Sequence, residues 1–462
     1  MLELTPKLNP HGGEPLYEQL YHHIKQEMEL GNLTSGTKLP SKRKLSHHLQ
    51  ISQNTIETAY GQLVAEGYIE ARPRKGFFVC EMEQNLYEIQ RSVQYVEERL
   101  YGDRDYTFNF SYTGVDTDSF PFGLYRKLAS EVIQNDNKAV LMMGHPQGEL
   151  ELRQTIAKYI YESRGVRCSP SQIIVGSGTQ YLMKILFQLL QGSTFAVEDP
   201  SYHRKMVTFE KEAKHVEMVP LDGDGMLISH LEENEADVAI VTPSHQFPCG
   251  MIMPISRRMQ LLNWAEEKEE RYIIEDDYDS EFRYKGKPIP ALQGLDSNDN
   301  VIYMSTFSKA LLPSLRISYM VLPKSLAQVY QKDYFFYAQT VSRIDQEILQ
   351  RFLQEGYWER HIQKMRGVYR KKRDALVSAI STYFPKCAEI IGQDSGLHLL
   401  VRANNGMTEH ELIEQAAIYS VKVYPVSDYG MNDNKTVLLG FAALSEKKIQ
   451  NAVQLLSEAW FG

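Results

Sequence analysis

The sequence predicts a multidomain chain: a small N-terminal α+β head, then a large α/β body that ends in a smaller α+β part. Three observations predict it. Amphipathic helical stretches closed by two short apolar runs fill the first 80 residues. Apolar strands alternate with helices from about residue 106, and near residue 330 the pattern turns to helices before strands return. At 462 residues, with 43% hydrophobic and 24% charged side chains, the chain can bury several cores.

In the head, Leu16, Leu20, Ile24 and Met28 recur every fourth residue between Pro15 and Leu30, the period of a helix with one apolar face. Gly31 and Gly36 mark a turn. Ser41 opens a second short helix carrying Leu45 and Leu49, and Ser52 opens a third that Gly67 ends. Tyr68–Ala71 and Gly76–Val79 flank the basic turn Arg72-Pro-Arg-Lys75, which suits a two-stranded wing.

Two short helices joined by a tight turn fit a helix-turn-helix. The second must enter a major groove end-on, and so presents Gln53, Asn54 and Thr55 to base edges. Ser41, Arg43, Lys44 and Arg72, with Arg74 or Lys75, are placed to hold phosphates or reach a minor groove. Charge agrees: the first 80 residues carry net +1 and the remainder −10, so the whole molecule is no indiscriminate binder of nucleic acid. On periodicity alone, a plain helical bundle with a charged rim fits as well.

Order and spacing favour the first reading, because the head resembles the winged helix-turn-helix of the GntR family. The carriers are Pro15–Leu20, Lys38–Leu45, Ser52–Ile56, Leu63–Tyr68 and Arg74–Val79. The resemblance implies a DNA-binding domain over residues 1–80. Residues 81–105, polar and without Gly or Pro before Gly102, read as a linker. Residues 106–462 form the body, its large part about 125–330 and its small part about 331–462.

The body's strands read as Ile173–Val175, Thr194–Val197, Val238–Val241, Tyr272–Ile274 and Val301–Met304, continuous apolar runs that suit a mostly parallel sheet covered on both faces. Helices follow at Gln346–Leu353 and Trp358–Ala379, then strands at Gly396–Val401 and Thr436–Phe441. Chemistry gathers at the ends of these runs. Gly178, Thr179 and Gln180 stand where a strand turns into a helix, and backbone N–H groups there bind phosphate. Tyr202 lies just beyond a strand, where a ring can stack on a flat ligand.

Asp276 and Tyr278 close the Tyr272–Ile274 strand, with Asp277 and Asp279 as rivals for the carboxylate role. Lys309 is framed by Thr306 and Ser308, with Arg316 seven residues on. An amine for a Schiff base, a cation for phosphate and a carboxylate for a pyridinium nitrogen are the equipment that holds pyridoxal phosphate. Each feature alone has an ordinary structural reading; their order gives the set its weight.

The body resembles fold-type I aminotransferases through GSGTQ, DPSYHR, TPSHQFPCG, EDDYDSEF and STFSKALLPSLR in that order, and the whole chain is similar to regulators of the MocR/GabR type. The resemblance implies Lys309 as the Schiff-base lysine, Asp276 at the ring nitrogen, Tyr278 at the phenolate oxygen and Tyr202 over the ring. It places Gly178, Thr179, Gln180, Thr306, Ser308 and Arg316 around the cofactor, mostly at its phosphate, and Arg204 at an effector. It further implies a cytoplasmic head-to-tail homodimer on operator DNA with two separated half-sites, signalled by an amino compound or by cofactor occupancy. A working aminotransferase with a DNA-binding appendage is the alternative.

Two departures weigh against efficient transamination. Ala443 stands where relatives carry an Arg that grips a carboxylate, and Met143 where many aminotransferases place a Tyr that reaches the neighbouring subunit's phosphate, a lack shared by regulators of this type. Cys80, Cys168, Cys249 and Cys387 lie far apart and read as reduced thiols, with no metal site. No apolar run approaches the ~18 residues of a membrane span, and the N-terminus shows no secretory pattern.

Overall fold

A proline and two serines set the first boundaries of the head. In the computed structural model, which describes residues 8–9, 13–81, 105–134, 136–203, 215–284 and 289–462, helix α1 (Leu16–Glu29) begins directly after Pro15. Helices α2 (Lys42–Leu49) and α3 (Gln53–Ala65) begin after Ser41 and Ser52, whose hydroxyls accept from the N–H groups of Lys44 and Thr55 at 3.3 and 3.1 Å. Strands β1 (Ile69–Arg72) and β2 (Gly76–Val79) pair antiparallel as the wing.

The first wing strand starts one residue later than the sequence suggests. Gly67 takes φ +77°, and the Tyr68 N–H closes the end of α3 on the Leu63 carbonyl at 2.9 Å. Leu20, Ile24, Leu45, Ile56, Leu63 and Ile69 meet in one core.

The chain divides into two units, residues 1–103 and 104–462, and the linker read at 81–105 lies almost wholly outside the described residues. Strand β3 (Phe108–Asn109) opens the described body. The large sheet holds β4 (Ile173–Gly176), β5 (Thr194–Asp199), β6 (His215–Asp222), β7 (Gly225–Met226), β8 (Val238–Val241), β9 (Tyr272–Asp277), β10 (Val301–Thr306) and β11 (Ser318–Val321). Their order is β4-β11-β10-β9-β8-β5-β6-β7, with every pairing from β10 through to β6 parallel.

β11, which the sequence did not announce, runs antiparallel between β10 and β4. Strand alternation sends Val175, Tyr303 and Tyr319 to one core and Ile174, Ile302 and Met320 to another, so both faces are covered. Helices α4 (Leu150–Arg164), α5 (Thr179–Leu189) and α6 (Tyr357–Tyr383) belong to these layers.

The smaller antiparallel sheet has the order β12 (Glu389–Ile391), β13 (His398–Arg402), β16 (Thr436–Gly440), β15 (Tyr424–Pro425). Beside it, β14 (Val421–Lys422) pairs in parallel with β3, so the start of the body is stitched to its far end.

β9 continues three residues past the predicted Ile274 and carries three buried carboxylates, each compensated. Glu275 accepts from the N–H groups of Leu292 and Gln293 at 2.8 and 2.9 Å. Asp277 pairs with Arg164 at 2.8 Å and accepts from the Tyr303 hydroxyl at 2.7 Å. Asp276 points to the opposite face, toward the site. Among the described residues no helix is long and apolar enough to cross a membrane.

Candidate functional site

A cavity of about 440 Å³ opens beyond the C-terminal ends of β4, β5, β8, β9 and β10, where open α/β sheets place their ligands. One end is built for an anion. Gly178 precedes α5 with φ +105° and gives no side-chain cap, so the helix's first N–H groups face the opening. A Cβ on Gly178 would collide with the Arg316 guanidinium. Thr306 Oγ1 accepts from the Ser318 hydroxyl at 2.9 Å and from the Ser308 N–H at 3.2 Å. The Ser308 hydroxyl is buried without a protein partner. An orphaned hydroxyl, bare helix N–H groups and a guanidinium fit a phosphate.

In the middle, the Lys309 ammonium donates to the Tyr112 carbonyl. Burial pushes its pKa down, with Asp279 partly opposing the shift. Behind it, His245 Nδ1 lies 2.9 Å from both Asp279 Oδ1 and the Tyr278 hydroxyl. Burial first, then Asp279 and Asp276, holds the Tyr278 phenol well above its usual range.

Asp276 sits one layer deeper. Burial lowers the His203 pKa to about 3, so its neutral ring donates from Nε2 to Asp276 Oδ2 at 3.0 Å while Nδ1 takes the Ser201 hydroxyl at 3.1 Å. The Tyr202 hydroxyl donates to the same carboxylate oxygen. Burial, then Asp277, Asp279 and Glu198, pushes the Asp276 carboxyl well above its ordinary pKa. A carboxylate so placed gains from any cationic N–H brought to it.

Gly178, Thr179, Gln180, Tyr202, Tyr278, Thr306, Ser308, Lys309 and Arg316 all line this one cavity. Asp276 joins through Tyr202, whereas its rivals are engaged elsewhere: Asp277 with Arg164 and Asp279 with His245. Arg204 lies outside the described residues.

The expectation resting on Ala443 needs correction. Its side chain is exposed and borders a separate hollow with Asp116 and Lys372, so an Arg missing there says nothing about the cavity. The β16 residue that packs toward the site is Leu438, buried with Phe247, Val426 and Tyr429. Met143 is 82% exposed and does not line the cavity.

Sequence reading missed Tyr112 and Tyr429, and gave no role to Phe247, His203 or His245. Four distant segments contribute these rings, and no local pattern joins them.

In the head, Gln53 and Asn54 stand exposed on the first turn of α3. Thr55 is half-buried and shares its hydroxyl with Ser52 at 2.8 Å, and Ser41 caps α2, so both serve the helix ends. Arg43 and Lys44 are exposed on α2, as are Arg74 and Lys75 at the wing tip. Arg72 lies over the Phe78 ring and bonds Glu70 at 2.8 Å.

Fold and site together define a class: a winged DNA-reading head joined to an aminotransferase-type body. Residues 16–79 match the bacterial regulatory proteins of the gntR family, and residues 111–456 match aminotransferase class I and II. The chain is 43% identical over 463 residues to the uncharacterized HTH-type transcriptional regulator YdeL of Bacillus subtilis (99% of this chain, 100% of that one). It is 30% identical over 470 residues to the probable rhizopine catabolism regulatory protein MocR of Rhizobium meliloti (96% and 94%).

The fold is similar to Pyrococcus horikoshii kynurenine aminotransferase, solved with PMP, at a TM-score of 0.68 and 25% identity, covering 82% of this chain and 94% of that one. The chain belongs to the MocR-type transcriptional regulators, in which a GntR helix-turn-helix precedes an aminotransferase-like domain. The cofactor of that domain is pyridoxal phosphate.

Proposed function

We propose that the body senses an amino compound at pyridoxal phosphate held on Lys309, and that occupancy sets the affinity of the head for its operator. The observation that carries this is the placement of Lys309. Its amine has a lowered pKa and sits between a cradle for an anion and the buried Asp276. The cofactor supplies an aldehyde that reacts with amines and a ring that withdraws electrons.

The chain does the rest. Gly178, Thr179, Gln180, Thr306, Ser308 and Arg316 hold the phosphate. Asp276, oriented by His203, keeps a proton on the ring nitrogen. Tyr278 faces the phenolate oxygen and Tyr202 covers the ring, excluding water.

In the head, Gln53 and Asn54 read base edges while Arg43, Lys44, Arg74 and Lys75 contact phosphates. A homodimer, head-to-tail as the family resemblance implies, draws support for its body interface from the exposed apolar side chains Leu141, Met142, Met143, Phe335 and Phe336. An effector can bias the heads only by its differential affinity for two states of the protein.

Operator binding, measured with and without pyridoxal phosphate and then with a panel of amines, tests the reading. A shift that requires an amine supports it. A shift on cofactor alone makes cofactor level the signal, and repeated release of keto acid makes the protein an enzyme. If borohydride reduction leaves no pyridoxyl adduct on Lys309, the reading fails.

A further inference from the structure

The cavity has a second end that the cofactor residues leave unclaimed. Past Lys309 the walls are aromatic: Tyr112, Phe247 and Tyr429. The Phe247 and Tyr429 rings stand 4.9 Å apart at 85°, and Tyr112 lies 5.9 Å from Phe247 and 6.1 Å from Tyr429. Leu438, Leu400 and Val426, all buried, complete the floor beneath them. The Tyr429 hydroxyl donates to the Tyr112 hydroxyl at 2.7 Å. Among the described residues lining the cavity only two carry positive charge, Arg316 at the phosphate end and Lys309 in the middle.

We propose that this end is the effector subsite, and that it takes a primary amine with an aromatic body and no carboxylate, an arylalkylamine. The inference rests on the cofactor reading above and adds the chemical class of the ligand. The amine goes to the Lys309 position and the body goes among the rings. There an aromatic group finds edge-to-face partners already set at right angles to one another. A carboxylate in the same place would lose its water among aromatic and aliphatic walls.

The test uses full-length protein loaded with pyridoxal phosphate. Borohydride reduction and peptide mass mapping first establish the Lys309 adduct, independently of any effector. Calorimetric titration then compares 2-phenylethylamine with 4-aminobutyrate. The expected result is binding of 2-phenylethylamine at least about tenfold tighter, a difference that calorimetry resolves readily. Phe247→Ala should remove most of that preference while the adduct still forms. Leu438→Arg should turn the preference toward 4-aminobutyrate; should it fail to fold, Phe247→Ala and Tyr112→Leu decide alone.

With the adduct present, equal or tighter binding of 4-aminobutyrate overturns the subsite, as does an unchanged 2-phenylethylamine affinity in Phe247→Ala. Absence of the adduct overturns the cofactor reading and this inference with it.

Discussion

The head and the body keep their functional side chains in opposite states. In the head, Gln53, Asn54, Arg74 and Lys75 stand exposed on elements whose fold is secured by others, chiefly Ile56, Tyr60, Leu63 and Ile69. In the body, Glu198, Asp276, Asp277 and Asp279 are all buried. Each bonds a neighbour: Glu198 the Thr242 hydroxyl, Asp276 His203, Asp277 Arg164 and Asp279 His245. The difference teaches that recognition and stability are separable in the head and merged in the body. A groove-reading side chain can wait in water at little cost, whereas a charged group in a dry cavity must be compensated wherever it stands.

The sharpest contrast is at Lys309. Lys309→Ala should abolish the pyridoxyl adduct completely while operator DNA still binds, read by mass mapping and by gel shift. Next comes Asp277→Ala, which leaves the Arg164 guanidinium buried without its carboxylate. Urea unfolding of the body should show a loss of about 3–5 kcal/mol.

A pH experiment ranks third. Burial pushes the Glu198 carboxyl up to about 7 from an ordinary 4.5. The folded state therefore binds more protons than the unfolded state between those values, and this group's contribution to stability is full below 4.5 and lost as pH rises through 7. The loss can reach about 3 kcal/mol. Glu198→Gln should lack it, so the variant gains on the parent between pH 5 and pH 8. A constant difference between the two would remove Glu198 as the cause. His203, with its depressed pKa, works in the opposite sense as pH falls below its ordinary 6.5 but is common to both proteins.

Smaller effects belong to the head. Asn54→Ala should cost about 1–3 kcal/mol of operator affinity and leave the unfolding midpoint in place. Any large drop in that midpoint would erase the contrast drawn above. Ser52→Ala, which removes the α3 cap, should cost about 1 kcal/mol of stability through the lost bond to the Thr55 N–H.

Much of this was legible in the sequence because it is written locally. Ser41 and Ser52 precede helices by the chemistry of a cap, and Ser308-Lys309 follows a strand whose apolar run is unmistakable. The aromatic end was not legible. Tyr112, Phe247 and Tyr429 come from segments more than a hundred residues apart, and only the closed fold brings their rings together.

Ala443 misled for a related reason. It lies three residues past the end of β16, whose five residues are all buried, and it is Leu438 within the strand that packs with Phe247 and Tyr429. The carboxylates of β9 were legible as residues but not as roles. Asp276, Asp277 and Asp279 are separated by what they touch, and their spacing carries no record of Arg164, His203 or His245.

The bond from the Lys309 ammonium to the Tyr112 carbonyl has a mechanical meaning. Tyr112 lies three residues after β3, the first described strand of the body. Any ligand that recruits this amine must compete with that carbonyl, and so acts on the segment that enters the body from β3.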